Sequence, residues 1–400
     1  MSNSLLTIDM ITRKALEILE NNLVITRNVN RQYDNSFAVE GAKIGSTLRI
    51  RLPDRALVTD GAALQVQDDN EQYTTLTVAS QKHIGVNFTS AELTMQLDDF
   101  AERVLKPRVS QLAASIDADV ANAYKNIYAS VGTPGTTPAT SLVLLQAQQK
   151  LNEAAAVMHP RYATVNPAAN AGLVEGMKGF FNPVDTISKQ FKAGMMGTGV
   201  LGYDEINMSQ SIVNHTNGSW GTSISVATTV STQGQSTLDI QFTGSSKTWN
   251  VGDVFTIANV YAVNPQTRQS TGSLQQFVVT AAASGSSTAT ISISPALYTS
   301  SQALATVDSF PQANAVITMI GSAGSSYAQN LVYHKDAITF ATADLLLPQG
   351  VDMASRQVHN GISMRIVRQY DINNDRMPCR IDVLYGYSVI RPQMACRMWG

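Results

Sequence analysis

The stretch STLDIQFTG, residues 236–244, sets Leu238, Ile240 and Phe242 against polar neighbours at every second position. Period two turns one apolar face toward a core and one polar face toward water, so the stretch predicts a half-buried strand and not a disordered linker. Its surroundings are nearly free of charge. Between positions 216 and 330 the charged residues are Asp239, Lys247, Asp253, Arg268 and Asp308, in a background of Ser, Thr, Gly, Gln and β-branched residues. The same reading fits VGDVFTIANV (251–260), with a tight turn at Gly252 and Asp253, and SLQQFVVTA (273–281) and TATISISPA (288–296), each flanked by Gly/Ser turn signals. Short strands at regular spacing predict a small β-barrel or sandwich. Segments of a different composition lie on both sides, so residues 216–330 read as an insertion whose ends lie close together in a host domain.

In the host, Leu5, Ile8, Ile11, Ala15, Ile18 and Leu19 recur at helical spacing and predict an amphipathic helix over 5–21, free to dock on a neighbour. Leu48, Ile50 and Leu52 alternate with Thr47, Arg49 and Arg51, and Leu76, Val78, Ile84, Val86 and Phe88 share one parity. These two stretches predict the strands of a long arm. The segment joining them carries Arg55, Asp60, Asp68, Asp69 and Glu71 and adds little to a compact core, which marks it for a partner or for motion. Capping signatures at Thr89/Glu92 and at Asp98 or Asp99 with Glu102 start a short and a long helix. The long one keeps Leu105, Val109, Leu112, Ile116, Val120, Tyr124 and Ile127 on one face down to Gly132 and Pro134, a spine of roughly 30 residues or about 45 Å. Pro107 predicts a kink or restart within it. A helix over 141–156 and a buried strand at 162–165, leaving into a turn at Asn166 and Pro167, complete an αβ unit.

The chain has 400 residues, of which 44% are hydrophobic and only 14% charged, with a net charge of −2. That length supports a sizeable core, and the low charge implies a surface that is neutral polar or covered by partners. No run of Lys and Arg marks a nucleic-acid binder. Two cysteines, Cys379 and Cys396, fit no metal spacing and read as free thiols of a reducing compartment. The first 24 residues lack the uninterrupted apolar region of a signal peptide, so a cytoplasmic, soluble protein is expected.

The motifs that suggest chemistry have plainer readings. Gly197, Gly199 and Gly202 spell GxGxxG, but Tyr203, Asp204 and Glu205 follow where a helix is required, so a flexible glycine loop is expected. Asp371, Asn373 and Asp375 imitate a calcium loop, yet Arg376 stands where a turn glycine belongs, which leaves an Asx-rich hairpin turn. Asp68, Asp69 and Glu71 read as a solvated loop tip or as partners of a neighbour's Arg in preference to a metal site. His83, His159, His215, His334 and His359 are scattered singly and read as structural. No catalytic residue, metal or cofactor is expected.

The string VNFTSAELTMQLDDFAERVLKP (86–107), followed by LAASIDADV (112–120), resembles the strand, short helix and spine helix of tailed-bacteriophage major capsid proteins, in particular the short-tailed enteric phage coat proteins with an inserted β-barrel. VNPAANAGL (165–173), GMMGTGVLGYDEINMSQSIVNHTNG (194–218), GDVFTIANV from Gly252 and RIDVLYGYSVIRP (380–392) resemble that family in the same order. The resemblance implies an α+β capsid fold. It divides the chain into an N-terminal arm (1–40), an extended loop (41–88), a peripheral domain with the spine helix (89–140), an axial domain in two parts (141–215 and 331–400) and the inserted β-barrel (216–330). It implies a virion coat protein, not an enzyme, which self-assembles as pentamers and hexamers into a T=7-like icosahedral shell. The partners it implies are a scaffolding protein, a portal and packaged double-stranded DNA bound without sequence preference. Arg49, Arg51, Arg55, Asp60, Asp68, Asp69 and Glu71 are then the expected subunit contacts. The family's barrel carries a charged loop, whereas this insertion is charge-poor. The competing reading, a β-rich tail adhesin or receptor-binding protein, rests on the Ser/Thr/Gln-rich block, and the long reaching loop and the lack of internal repeats speak against it.

Overall fold

A computed structural model describes residues 8–32, 47–59, 61–62, 64, 66, 71–89, 106–176, 197–374 and 376–399. The chain divides into two compact units, each with its own sheet. One comprises Met1–Ile50, Thr74–Val120 and Ile338–Ser388, and the other Arg51–Tyr73, Ala121–Ala337 and Val389–Gly400.

In the first unit, strands run in the order Ile338–Ala343, Arg376–Val389, Ile362–Arg368, Met353–His359, and Ser80–Thr89 also pairs along Arg376–Val389. The N-terminal helix, Ile8–Asn22, lays Ala15, Leu16 and Leu19 on the strands Met353–His359 and Ile362–Arg368, and all three side chains are 0% exposed. Its apolar stripe is thus filled by its own chain, and not held open for a neighbour as the periodicity alone allowed. The helix Lys106–Ala121 buries Val109, Leu112, Ile116 and Val120 on one face. The predicted spine ends early in regular α-helix: Asn122–Asn126 is a 3-10 turn, and Ile127 has extended dihedrals (φ −97, ψ 119) because the chain must enter the strand Ser130–Val131. Residues 90–105, which carry the predicted caps, lie outside the described residues.

The long second strand expected over 76–88 is two strands, Tyr73–Thr77 and Ser80–Thr89. The first pairs with Thr47–Arg51, while the second joins the five-stranded sheet. The shared parity of Leu76, Val78 and Val86, all buried, survives the break.

The second unit is built on a seven-stranded sheet in the order Ser130–Val131, Ala395–Trp399, Ser326–His334, Arg161–Val165, Tyr203–Met208, Gly197–Val200, with Asn214–Thr216 also on Ser326–His334. Pro167 does not end the local structure but opens the helix Pro167–Gly176. Proline loses nothing at a first helical turn, whose N–H groups are unpaired anyway, and the Asn166 side chain accepts a hydrogen bond from the Ala169 N–H at 2.8 Å. The GxGxxG segment is likewise not a loose loop. It forms the antiparallel hairpin Gly197–Val200 with Tyr203–Met208, turning through Gly202 at φ 78, where a Cβ would meet the Gln148 side chain at 2.3 Å.

The charge-poor block grows from this sheet. Thr216 lies opposite Ser326 in the ladder between Asn214–Thr216 and Ser326–His334, and their hydroxyls are 2.6 Å apart, so the block begins and ends at one point of the host. Its six-stranded sheet runs Ile317–Met319, Val254–Val263, Ser270–Val279, Thr288–Leu297, Gln235–Thr243, Thr222–Val226. The two outer strands meet: Ser225 bridges Val316, and the Val226 N–H donates to the Ala315 carbonyl at 3.0 Å. Leu238, Ile240, Trp249, Phe255, Phe277 and Val307, each 0% exposed, fill the interior. Phe255 and Phe277 stack at 5.7 Å, and Phe242 meets Trp249 edge-on at 4.7 Å. Each such aromatic side chain contributes roughly 1.5–3 kcal/mol by burial, which makes this core the main stabiliser of the block.

Candidate functional site

No group of three or more His, Cys, Asp or Glu side chains among the described residues is arranged to hold a metal ion. No helix among them is long and apolar enough to cross a membrane. The features left to carry function are the described residues of segment 51–73 and the joint between the charge-poor block and its host.

The segment's base is set by strand pairing. Thr47–Arg51 and Tyr73–Thr77 form a two-stranded ladder, which continues as the Leu52 N–H donates to the Gln72 carbonyl at 2.8 Å. In that register Arg51 and Glu71 are diagonal neighbours on one face, and their side chains form an exposed ion pair at 3.1 Å. Two of the expected contact residues are therefore partners within one chain. Arg49 is exposed on the strand whose Ile50 is buried. Asp60, Asp68 and Asp69 lie outside the described residues. Farther along, Val58, Leu64 and Val66 are 82%, 90% and 85% exposed, an apolar display that their neighbours in sequence do not cover.

Arg55 departs from this pattern. It is half-buried and lines a cavity of about 130 Å³ together with Tyr128, Lys150, Glu153, Gln275 and Thr306. Burial pulls its pKa below the usual arginine value, and the neighbouring Tyr128 opposes that shift. Tyr128 in turn is pushed up to about 12 by burial.

The joint holds a second set of polar groups that the sequence did not announce. Asp253, in the turn after Trp249, accepts from the backbone N–H groups of Asn250 (2.7 Å) and Gly218 (3.1 Å) and lies 2.8 Å from His215 Nε2. His215 Nδ1 is 3.1 Å from the Tyr124 hydroxyl. One chain of bonds thus runs from the 3-10 turn Asn122–Asn126, through a host strand, into the first tight turn of the insertion. Beside it the buried Arg397 donates through Nε to the Ile127 carbonyl at 2.7 Å and through Nη1 to the Gly252 carbonyl at 2.8 Å. Its guanidinium also lies over the Tyr124 and Trp399 rings at 5.4 and 5.8 Å. Burial lowers the Arg397 pKa to about 10 and raises that of Tyr124 to about 12. A Tyr–His–Asp chain of this kind resembles a catalytic relay, but His215 is 3% and Asp253 0% exposed, so no substrate reaches it. It pins the insertion to its host. The one readable signal was the Gly252–Asp253 turn; its partners stand 35 and more positions away for Gly218 and His215, and 145 for Arg397 on Gly252.

Throughout residues 1–400 the chain matches the family described as P22 coat protein - gene protein 5. The chain belongs to that family. It is a phage major capsid protein, a structural component of the virion and not an enzyme. It is similar to the major capsid protein of Acyrthosiphon pisum secondary endosymbiont phage 1, with 22% identity over 336 residues, 79% of either chain. Among solved structures it is similar to one of Mycobacterium phage Che8, with 12% identity, 94% of this chain and 90% of that one covered, and a TM-score of 0.48. Similarity to the capsid of Ralstonia phage GP4 is at 6% identity, 94% and 90% coverage, and a TM-score of 0.45.

Proposed function

We propose that many copies of this chain, as pentamers and hexamers, close into a T=7-like icosahedral head shell around double-stranded DNA, after synthesis in a bacterial cytoplasm. A scaffolding protein and a portal serve as assembly partners. Segment 51–73 of the extended loop (41–88) reaches to neighbouring subunits, the arm (1–40) is anchored on its own chain by the helix Ile8–Asn22, the axial and peripheral domains form the capsomer body, and the insertion is a closed β-barrel that supports the monomer. Membership of a coat-protein family over the full 400 residues carries this reading. Segment 51–73 supports it, because Val58, Leu64 and Val66 stand almost fully exposed where a shell would cover them. Contacts of this kind are individually weak and become stable through repetition, which also lets misplaced subunits leave. A net charge of −2 fits an inner wall that does not grip DNA. Family membership does not favour the tail-adhesin reading.

Negative-stain microscopy of the purified chain, with and without a co-expressed scaffold, tests the proposal, and closed shells are the expected outcome. Particles that stay dispersed under both conditions sink it. In the same assay Arg49→Glu with Arg51→Glu is expected to lower shell yield or heat resistance. Unchanged shells would remove these two arginines from the contact.

A further inference from the structure

Arg55 lacks what a half-buried cation needs. Among the described residues it makes no hydrogen bond and no ion pair, although it lines a cavity of about 130 Å³. A guanidinium withdrawn from water without an acceptor costs free energy, and its planar fork of N–H donors matches the oxygens of carboxylate and phosphate. The other charged walls of the space are Lys150 and Glu153. Lys150 Nζ is 3.1 Å from the Ser273 hydroxyl and 3.7 Å from the Glu153 carboxylate, so these two largely neutralise each other and leave Arg55 as the uncompensated charge. The volume exceeds what a single water requires several-fold.

We propose that this cavity is an oxyanion site, with Arg55 as its principal ligand, Lys150 as a second cationic wall, and a free phosphate- or carboxylate-class anion as its occupant. The walls come from three places: segment 51–73 (Arg55), the host (Tyr128, Lys150, Glu153) and the insertion (Gln275, Thr306). A bound anion would tie these three together. Glu153 sets a limit on the charge the site tolerates, since an anion that displaced Lys150 from it would leave that carboxylate unpaired.

The test is thermal unfolding of the unassembled full chain while chloride is replaced by inorganic phosphate or by succinate at constant ionic strength. The wild-type chain is expected to show a saturable rise in Tm of roughly 3 °C or more with at least one of the two. A rise with phosphate alone assigns a phosphate-class ligand, and with succinate alone a carboxylate-class ligand. Arg55→Gln should abolish the rise, Lys150→Gln should reduce it, and Lys247→Gln, remote from the cavity, should keep it. Without either anion Arg55→Gln should melt no lower than wild type, because it removes an unpaired charge. No rise with either anion, an unsaturable rise shared by all variants, or an Arg55→Gln chain that melts lower or fails to fold without anion would overturn the site.

Discussion

Asp382, its side chain 0% exposed, receives Arg365 Nη2 at 2.7 Å, Arg380 Nε at 2.6 Å and the Gln81 amide at 3.2 Å. Burial alone would raise its pKa. The hydrogen bonds and charge of Arg365 and Arg380 outweigh burial and hold it below the usual carboxylate value. A carboxyl whose folded pKa lies below its unfolded one stabilises the fold fully above the unfolded pKa, and that stabilisation is lost as pH falls through the folded value. Chemical denaturation of the unassembled chain should therefore show a stability decline below about pH 4 that is shallower in Asp382→Asn. At neutral pH the same variant should be less stable by about 2 kcal/mol, under the cost of breaking a fully buried pair because Arg380 remains half-exposed. Equal acid sensitivity in both proteins would assign the decline elsewhere. None of this was legible in the sequence. The Asp382 partner Gln81 is 301 positions away, and neither Gln81 nor the arginines carry any local pattern that names a buried acid.

Elements were more legible than residues, for a physical reason. Periodicity reports a face turned toward a core, and with flanking turn signals it predicts strands within 236–244, 251–260, 273–281 and 288–296, where the structure has Gln235–Thr243, Val254–Val263, Ser270–Val279 and Thr288–Leu297. It failed where one local feature serves two structures. A proline such as Pro167 suits a turn or the first turn of a helix, and a glycine-rich string fits a loop or a hairpin turn. The turn at Asp371 was read correctly as Asx chemistry, since its Oδ1 accepts the Asn373 N–H at 3.0 Å and it bridges Arg376; Asp375 lies outside the described residues. What periodicity could not give was closure. The meeting of Thr222–Val226 with residues 315 and 316 joins strands some ninety positions apart. Closure bears on autonomy, because a sheet whose outer strands pair with each other exposes no long edge and keeps its apolar face inside. Residues 216–330 expressed alone should give dispersed amide NMR signals. The loss of Arg397 would leave the Gly252 carbonyl in water and not in an apolar void, at small cost. A collapsed random-coil spectrum would refute autonomous folding.

For the whole molecule, the question is why a chain with 14% charged residues leaves Val58, Leu64 and Val66 uncovered within segment 51–73. Leu64 and Val66, at 90% and 85% exposure, add almost nothing to the monomer's core, so polar replacements there should shift monomer stability by no more than about 0.5 kcal/mol. A shell that buries both side chains at every repeated contact would lose their transfer free energy at each copy, roughly 1.5–3 kcal/mol per side chain, multiplied across the lattice. Leu64→Ser with Val66→Ser should thus leave the thermal unfolding of unassembled protein unchanged and lower the yield of closed particles at least several-fold by microscopy and sedimentation. The pairing of the two readouts is what makes the experiment decisive. A monomer that melts markedly lower would show that the segment packs on its own chain, and normal shells from a normal monomer would show that the segment lies outside the contacts that close the head.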